Sequence, residues 1–463
     1  MDRFDLTVIG AGPGGYVAAI RGSQLGMRVA IVERDRLGGI CLNWGCIPTK
    51  ALLKIAEEYE ILKHAAQWGF KVGKIGVDWD RVVARSRESA DKLSRGVSSL
   101  MKKNKITVLS GEGRYRTPNT IAVTSADKKT TEVSSTQTII ATGARASTIP
   151  GVTPDGKHII TYKEAMVLDK LPRSMTIIGA GAIGLEFAYF FSAFGTEVTI
   201  IEFFDKLLPS GDDDICAQLT RSFKKRSMKI HTSSRVKEVA VTKKGTRTTF
   251  EEDGKETTVD SQVTLVAVGV RGNVENLGLD DIGVKVGRGG IDVDEHLRSS
   301  VHSVYAIGDV RGPPALAHVA SAEGVHAVEH MAGLNPTPID YSSVPACIYC
   351  HPQIASVGLT EKEAREKGHD VKIGRFPFAA NGKSVAVGDT EGFVKIIGDG
   401  RFGEILGVHI IGSEATELIA EFALAKATEM TVHDVHHTIH AHPTLSESSM
   451  EAAADWAGRA LQM

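Results

Sequence analysis

The chain has 463 residues, 42% hydrophobic and 24% charged, which is typical of a globular protein with roughly two to four packed domains. Its formal net charge of −2 gives no electrostatic reason to expect nucleic acid or an anionic membrane as a partner. No apolar run reaches the roughly 20 residues that cross a bilayer, so no membrane insertion is expected. Five cysteines argue against a secreted disulfide framework, and a strand-like run begins at Phe4, which leaves no room for a signal peptide. We therefore expect a cytoplasmic protein, or a mitochondrial matrix protein if a transit peptide has been removed.

The first predicted element is a strand that leads into a glycine-rich turn. Apolar residues 6–9 precede the turn at residues 10–15, and a helix-like segment and a second strand follow it, ending on Glu33. In a dinucleotide-binding unit the first glycine makes the tight turn, the second lets the backbone approach a pyrophosphate, and the third lets the helix pack on the strand. The phosphate then lies at the helix N-terminus, and the acid accepts hydrogen bonds from ribose hydroxyls. The pattern predicts a dinucleotide site.

A pair of cysteines, Cys41 and Cys46, follows this unit directly. Two thiols separated by four residues can be bridged if the loop between them folds back. A helix running on from Cys46 would place its positive end near the thiols, and Lys50 would lie one turn further along the same face, so a thiolate is favoured. Two buried free thiols, or half of a zinc site, are the alternatives, although zinc would need a second pair of ligands.

The same dinucleotide pattern recurs further along the chain. After a long helical insertion, roughly Cys46 to Lys103, and a strand that ends at residues 141–143, a second glycine-rich turn begins at Gly179 and leads to Glu202. Glu33 follows Gly10 by 23 residues, and Glu202 follows Gly179 by 23 residues. Two complete copies predict two bound dinucleotides. Because Glu202 would repel a 2′-phosphate and the first cation after it is Lys206, the second copy predicts NAD rather than NADP.

The C-terminal part, from about Tyr341, has short β-like runs and then a predicted helix, Glu414 to Met430. Beyond it, His442 is followed five residues later by Glu447 across a proline turn. Such a pair can act as an oriented general acid–base if a thiol that exchanges protons lies nearby.

Two further patterns suggest chemistry less strongly. Cys347 and Cys350 have the spacing of a redox or metal half-site, but they lie in a β-like run where residues three apart point to opposite faces. Four histidines contain two i, i+4 pairs that could hold zinc on a helix, namely His433, His436, His437 and His440. No third type of ligand accompanies them, so no metal is predicted, and Cys216 is read as a lone thiol.

Taken in order, these motifs resemble the pyridine nucleotide–disulfide oxidoreductase family over essentially the whole chain. The motifs are the first glycine turn, the segment Cys41–Lys50, Ala141-Thr142-Gly143, the second glycine turn, Tyr305–Asp309 and His442–Glu447. The resemblance implies an α/β fold with two Rossmann-like dinucleotide-binding domains, a central region and a C-terminal α+β dimerisation domain. The implied regions are an FAD domain at 1–147, an NAD domain at 148–272, a central domain at 273–340 and an interface domain at 341–463. A homodimer holding FAD and NAD is implied.

The resemblance also implies roles for individual residues. Cys41 resembles the thiol that exchanges with the substrate disulfide, Cys46 the thiol against the flavin, and His442 an acid–base that the partner subunit contributes and Glu447 orients. The residues implied for FAD are Gly10, Gly12, Gly14, Gly15, Glu33, Lys50, Gly113, Ala141, Thr142, Gly143, Asp309, Ala317 and His318. The residues implied for NAD are Gly179, Gly181, Ile183, Gly184, Glu186, Glu202 and Gly269, with Glu186 pairing with Lys50.

Within the family the closest resemblance is to members that oxidise dihydrolipoamide. It implies that the partner is a lipoyl-bearing protein of a 2-oxoacid dehydrogenase or glycine cleavage complex, and that NAD⁺ is reduced to NADH. The alternatives are a related NAD(P)H-dependent disulfide reductase and a non-catalytic FAD/NAD-binding assembly subunit. Trp44, where a smaller residue is common between the thiols, and Ile40, where threonine is usual, depart from the family pattern.

Overall fold

The computed structural model describes residues 1–462. The first region of the chain is a sheet flanked by helices. Its elements are β1 (Asp2–Ile9), α1 (Pro13–Gln24), β2 (Val29–Glu33), α2 (Gly39–Trp44), α3 (Cys46–Lys63), α4 (Trp79–Lys103), β3 (Thr107–Ser110), β4 (Glu112–Thr117), β5 (Thr120–Thr124) and β6 (Thr130–Ile140). The strand order is β3-β2-β1-β6-β5-β4, and β3, β2, β1 and β6 are parallel. The middle strands are apolar because helices cover both faces of a parallel sheet.

The helical insertion predicted from Cys46 to Lys103 is two helices, α3 and α4, rather than one continuous run. The link between them contains Gly69, Gly73 and Gly76, and Gly69 has a φ of 80°, which ends the helical path. Buried α3 residues belong to the same apolar cluster as buried residues of the second dinucleotide region, among them Leu52, Ala56 and Phe187. The helix that begins at Cys46 is therefore anchored on both dinucleotide units.

The second region repeats the architecture of the first. Its elements are β7 (Ala144–Ala146), β8 (Ile159–Ile160), α5 (Tyr162–Ala165), β9 (Ser174–Ile178), α6 (Ala182–Ala193), β10 (Glu197–Ile201), α7 (Asp213–Lys225), β11 (Lys229–His231), β12 (Ser234–Thr242), β13 (Gly245–Glu252), β14 (Lys255–Ser261), β15 (Val263–Val266) and β16 (Val270–Gly272). A parallel sheet has the order β11-β10-β9-β15-β8, and β12, β13 and β14 form a separate antiparallel sheet.

The segment that follows returns to the first region. Its elements are α8 (Leu279–Ile282), β17 (Val304–Ala306) and α9 (Ala317–Met331). β17 pairs in parallel with β6, so it extends the first sheet. α9 packs so closely on α1 that a Cβ added at Gly324 would lie 2.6 Å from the Gly14 carbonyl oxygen. The residues of this segment share the apolar clusters of the first sheet and complete its helical cover.

The C-terminal region is an antiparallel sheet with helices. Its elements are β18 (Ala346–Ile348), β19 (Gln353–Gly358), α10 (Glu361–Glu366), β20 (Val371–Pro377), α11 (Gly382–Val387), β21 (Gly392–Asp399), β22 (Ile405–Gly412), α12 (Ala415–Ala427), α13 (Val432–His437) and α14 (Glu447–Trp456). The strand order is β18-β19-β22-β21-β20. The predicted helix Glu414 to Met430 corresponds to α12. Among residues 1–462, no helix combines the length and apolarity that a membrane crossing requires.

Candidate active site

The two predicted redox cysteines lie on either side of a tight turn between α2 and α3. Gly38 and Gly39 enter α2 with φ angles of 98° and 58°, a conformation that favours glycine. Cys41 lies within α2 and Cys46 is the first residue of α3. Both sulfur-bearing side chains line the same cavity, and each shifts the pKa of the other. The helix arrangement thus brings the predicted pair together.

The two thiols are electrostatically unequal. The pKa of Cys46 is lowered, chiefly by the hydrogen bond from Cys41, and the nearby Lys50 ammonium lowers it further against the effect of burial. The same hydrogen bond, together with burial, raises the pKa of Cys41. Cys46 also lies at the N-terminus of α3, where the helix dipole favours negative charge. Within the pair, these interactions favour negative charge on Cys46 and the proton on Cys41.

Lys50 lies one turn into α3 and is held by a carboxylate from the second region. Its Nζ lies 2.8 Å from Glu186 Oε1 and 2.9 Å from Glu186 Oε2, so the expected pairing is present. Glu186 lies in α6 and its side chain is 7% exposed. The backbone N–H of Tyr349 donates to Glu186 Oε1 at 3.0 Å, and the Tyr349 ring lies 4.3 Å from Lys50 Nζ. A charged cluster from three regions of the chain therefore adjoins the thiol pair.

A cavity of about 510 Å³ opens where β1 meets α1. Ten of the residues predicted to bind FAD line it, namely Gly10, Gly12, Gly14, Glu33, Gly113, Ala141, Thr142, Gly143, Asp309 and Ala317. Gly15 does not line it: a Cβ there would lie 1.9 Å from the Gly10 carbonyl oxygen, so Gly15 serves the close packing of turn and helix. Lys50 and His318 line a neighbouring cavity instead.

The residues around this first cavity fit FAD. A Cβ at Gly12 would meet no protein atom within 4 Å, so the space beside its backbone is open at the free N–H groups of α1. Glu33 is held by the Ala11 N–H at 2.8 Å, which leaves carboxylate lone pairs for ribose hydroxyls. Burial, and then the neighbouring Glu323, raise the pKa of Asp309, a carboxyl suited to hydrogen bonding with the hydroxyls of a ribityl chain.

The second glycine turn has the same local geometry as the first. A Cβ at Gly179 would lie 2.4 Å from the Ala267 carbonyl oxygen, and one at Gly181 would meet nothing within 4 Å. Glu202, which is 5% exposed, accepts from the Ala180 N–H at 2.6 Å and from the Phe204 N–H at 2.9 Å. This fixed carboxylate beside an open helix N-terminus fits the adenosine ribose of NAD. Gly184 packs against Gly179 and does not line a cavity.

The second cavity, of about 1440 Å³, is larger and joins the second glycine turn to the thiols. Its lining includes the remaining predicted NAD residues, namely Gly179, Gly181, Ile183, Glu186, Glu202 and Gly269, together with Cys41, Cys46, Lys50 and His318. Arg235 and Lys237 of β12 also line it, and the sequence did not indicate that these cations adjoin the site. Lys237 is paired with Glu251 and Glu256. Lys206 turns away to Asp213 at 2.6 Å.

His442 and Glu447 form the predicted pair, but the pair does not lie in the cavity around Cys41 and Cys46 of the same chain. His442 Nδ1 lies 2.8 Å from Glu447 Oε1, and the Thr444 N–H donates to Glu447 Oε2 at 2.8 Å. Burial raises the pKa of Glu447, but the Thr444 N–H and His442 outweigh it and leave the pKa lowered. The His442 side chain is 76% exposed and does not line the cavity around Cys41 and Cys46.

The remaining cysteines do not form a second redox site. β18 ends at Ile348, so Cys350 lies outside the β-run in which the sequence placed it. Cys347 Sγ contacts the Thr416 carbonyl oxygen at 4.0 Å, whereas Cys350 Sγ donates to the Pro352 carbonyl oxygen at 3.3 Å. Burial raises the pKa of Cys347 to about 11 and raises that of Cys350 as well. Cys216 is buried, and burial also raises its pKa to about 11.

The predicted histidine pairs are only partly present. α13 ends at His437 because Thr438 adopts an extended conformation, so only His433 and His437 of the two i, i+4 pairs lie within a helix, and the spacing of His436 and His440 is not helical. His440 Nε2 instead lies 2.7 Å from Glu421. Within residues 1–462, no group of three or more histidine, cysteine or acidic side chains has the geometry to hold a metal ion.

Several site residues were not found from the sequence. The spacing of Cys347 and Cys350 gave no indication that Tyr349, which lies between them, contacts both Lys50 and Glu186. Trp44 lines both cavities, and its ring lies 4.9 Å from the Arg87 guanidinium of α4. The departure of Trp44 from the family pattern was the one sequence signal for it. Contacts such as that of Tyr349 with Glu186, 163 residues apart, leave no trace in spacing.

Two dinucleotide-binding units that meet at a reactive dithiol define an oxidoreductase that passes an electron pair between a disulfide and a pyridine nucleotide by way of a flavin. Comparison with known proteins agrees. Residues 4–324 match the family described as pyridine nucleotide-disulphide oxidoreductase, and residues 344–453 match the dimerisation domain of the same family. The chain therefore belongs to the pyridine nucleotide–disulphide oxidoreductase family.

Full-length relatives are similar to this chain throughout. Proteins of Rhizobium etli and Zymomonas mobilis, both named dihydrolipoyl dehydrogenase, are each 47% identical to it over 99% of both chains. The crystal structure of LpdA from Mycobacterium tuberculosis matches with a TM-score of 0.90 and 28% identity, covering 98% of this chain and 99% of that one. The chain is thus a flavoprotein disulfide oxidoreductase that uses FAD and NAD(H), and its dimerisation domain indicates a homodimer.

Proposed function

We propose that this enzyme oxidises protein-bound dihydrolipoamide and reduces NAD⁺ to NADH through the Cys41–Cys46 pair. The observation that carries the proposal is the single cavity in which Cys41, Cys46 and Lys50 share a wall with Glu202 of the second glycine turn. The relatives at 47% identity support dihydrolipoamide as the dithiol. Glu202 supports NAD, because a buried carboxylate accepts from a 2′-hydroxyl and repels a 2′-phosphate.

In the proposed reaction the electron pair enters through Cys41. A dihydrolipoyl thiolate attacks Cys41 of the oxidised pair, which forms a mixed disulfide and releases Cys46 as a thiolate. The second lipoyl sulfur then attacks the first, which forms the lipoyl disulfide and releases Cys41. The dithiol has gained the two electrons that lipoyl has lost. When Cys41 and Cys46 return to the disulfide, these two electrons pass to NAD⁺, with formation of NADH and release of one proton.

The proposed proton acceptor is His442 of the partner subunit. The exposure of His442 and its absence from the thiol cavity of its own chain support a role across the dimer. Its hydrogen bond to Glu447 orients the ring and supports positive charge on it as a lipoyl thiol loses its proton. FAD, when bound, supplies the acceptor that links the dithiol to the nicotinamide. We assign Glu33 to its adenosine ribose and Asp309 to its ribityl chain, and we assign Lys50 to the flavin edge beside Cys46.

Steady-state turnover with NAD⁺ and dihydrolipoamide tests the proposal. We expect Cys41→Ser to lower kcat by at least about 10³-fold, because oxygen cannot take part in disulfide exchange. Cys350→Ala, which removes a buried thiol with a raised pKa, is the matched control and should retain turnover. A wild-type rate no better than that of Cys41→Ser would refute the catalytic role. Faster reduction of glutathione disulfide with NADPH would refute the substrate assignment.

The partner proposed for the enzyme is a lipoyl-bearing protein of a 2-oxoacid dehydrogenase or glycine cleavage complex, in the cytoplasm. Five cysteines in 463 residues are too few for a secreted disulfide framework, which supports a reducing compartment. In a Cys46→Ser variant the Cys41 thiolate can attack the disulfide of an oxidised lipoyl domain, which forms a mixed disulfide with one lipoyl sulfur and releases the other as a thiol; alkylation of that released thiol would trap the mixed disulfide. Failure of isolated lipoyl domains to react, while free dihydrolipoamide does, would contradict the protein-bound substrate.

A further inference from the structure

Side chains from three separate regions converge on the ammonium group of Lys50. Lys50 itself lies on α3, next to the thiols, and Glu186 comes from α6 of the second region. Tyr349 comes from the segment directly after β18 in the C-terminal region. Its ring lies 4.3 Å from Lys50 Nζ, while its backbone N–H donates to Glu186 Oε1 at 3.0 Å. The tyrosine thus contacts both partners of the ion pair.

We propose that Tyr349 is a positioning residue that holds the Lys50 ammonium beside the Cys46 sulfur. Glu186 alone does not restrain Lys50 on every side, because the Lys50 side chain is 32% exposed toward the large cavity. A lysine ammonium on a flexible four-carbon stem can swing about a carboxylate while keeping its contact. An aromatic face attracts the ammonium electrostatically and closes that side.

The ring, rather than the hydroxyl, carries this role. The Tyr349 hydroxyl makes no hydrogen bond to another side chain or to the backbone within residues 1–462, whereas the ring and the backbone N–H both have partners. Burial raises the pKa of the hydroxyl to about 12, so it stays neutral at working pH. Phenylalanine should therefore replace tyrosine in this role, and an aliphatic residue should not.

The consequence for chemistry lies at Cys46. The groups that act electrostatically on Cys46 include Cys41, Lys50, Glu186 and Tyr349. The other charged or titratable side chains that line the same cavity are Tyr162, Glu202, Arg235, Lys237, Glu251, Asp309, His318 and Cys347. Of these, Lys50 is the cation that lowers the thiol's pKa, while Glu186 opposes it. An ammonium that drifts toward Glu186 and away from Cys46 would weaken the thiolate. The inference rests on the proposed roles of Cys46 and Lys50.

The test titrates the Cys46 thiolate in the FAD-bound homodimer. In a Cys41→Ser background, Cys46 is the sole thiol of the pair, and its thiolate beside flavin gives a long-wavelength charge-transfer absorbance. We expect Tyr349→Leu to move the midpoint of this titration upward by about half a pH unit. Tyr349→Phe should leave it in place, and Lys50→Gln should move it upward by about 1–2 units. Thermal unfolding checks that each variant is folded, and Tyr349→Met replaces the leucine variant if it is not.

These variants distinguish an error in the positioning role of Tyr349 from an error in the proposed site. If Lys50→Gln shifts the midpoint but Tyr349→Leu and Tyr349→Met do not, the positioning role of Tyr349 is wrong and the proposed site stands. If Lys50→Gln itself has no effect, the proposed role of Lys50 beside Cys46 is wrong. If Tyr349→Phe shifts the midpoint as far as Tyr349→Leu, the hydroxyl rather than the ring is responsible, and the inference as stated is overturned.

Discussion

The two dinucleotide-binding turns are alike in their backbones and differ in what packs against them. In the first, Glu33 accepts from the Ala11 N–H at 2.8 Å, and in the second, Glu202 accepts from the Ala180 N–H at 2.6 Å. The glycines at the start of each turn approach a carbonyl oxygen of a neighbouring strand end just as closely. Two residues break the correspondence: Pro13 and Gly14 of the first turn are replaced by Ala182 and Ile183 in the second, and the change from glycine to isoleucine alters the packing.

The difference follows from α9. A Cβ at Gly14 would lie 2.8 Å from the Ala320 carbonyl oxygen, because α9 crosses α1 at that point. At the matching position of α6, Ile183 lines the large cavity instead. The first turn opens into a cavity of about 510 Å³, and the second into one of about 1440 Å³. We assign the narrower cavity to a resident cofactor and the wider one to a nucleotide that exchanges.

Different contacts help to attach the two units to their surroundings. For the first unit one of them is the close backbone packing of α1 against α9, and for the second it is an ion cluster around a buried lysine. Lys395 of β21, whose side chain is 2% exposed, lies 2.8 Å from Asp212 at the start of α7, 2.7 Å from Asp214 and 2.8 Å from Glu361. This cluster ties the NAD-binding unit to the C-terminal sheet.

Removing the lysine should give the largest effect. We expect Lys395→Met to lower the free energy of unfolding by about 3–5 kcal/mol, because it leaves the buried Asp212 carboxylate without its cation. Lys237→Met is the matched control: Lys237 also pairs with two glutamates, but it is 43% exposed, so its loss should change the free energy of unfolding far less than Lys395→Met does. Denaturant unfolding of both variants measures the difference, and equal losses would contradict the role given to the buried cluster.

The same cluster predicts a pH dependence. Burial raises the pKa of Asp212, but the Lys395 ammonium outweighs this effect, and it also lowers the pKa of Glu361, so both carboxyl pKa values are depressed. Their contribution is fully present above the unfolded value of about 4 and is lost as pH falls through the folded values. In Lys395→Met, acid neutralises the repelling carboxylates, so the stability gap between variant and wild type should narrow as pH falls from 7 toward 4. A constant gap would contradict this account.

The second prediction exchanges the residues that distinguish the two turns. Gly14→Ile would force α1 away from α9 at a cost of about 3 kcal/mol, and the purified protein should hold much less than one FAD per chain. Ile183→Gly is the matched reverse change. It should cost about 1 kcal/mol of helix stability and leave the FAD content unchanged. Flavin absorbance against protein concentration gives the ratio, and full FAD occupancy in Gly14→Ile would show that α9 does not seal the first site.

The sequence predicts the features that depend on short-range interactions, and it does not predict those that depend on contacts between distant parts of the chain. Both turns, their acids and the cysteine pair were predicted because glycine geometry, helix N-termini and short spacings are local demands. The contact of Lys50 with Glu186 was expected only by resemblance, since the two residues are 136 positions apart. The packing of α9 on Gly14 and the cluster of Lys395 with Asp212 were not predicted, because each depends on two elements that meet only in the folded chain.

The smallest effects should come from the acids that the two turns share. Glu202→Gln places an amide nitrogen against one of two backbone N–H groups and weakens the ribose contact, so the KM for NAD⁺ should rise about tenfold while the FAD content stays constant. Glu33→Gln should weaken FAD binding by a similar factor and leave the KM for NAD⁺ of the FAD-loaded fraction unchanged. The two carboxylates have nearly the same hydrogen bonds. If their substitutions affect different nucleotides, the difference must come from the residues that surround each turn. If either substitution changed the binding of both nucleotides equally, the two turns would be coupled, and their division into a resident and an exchanging site would not hold.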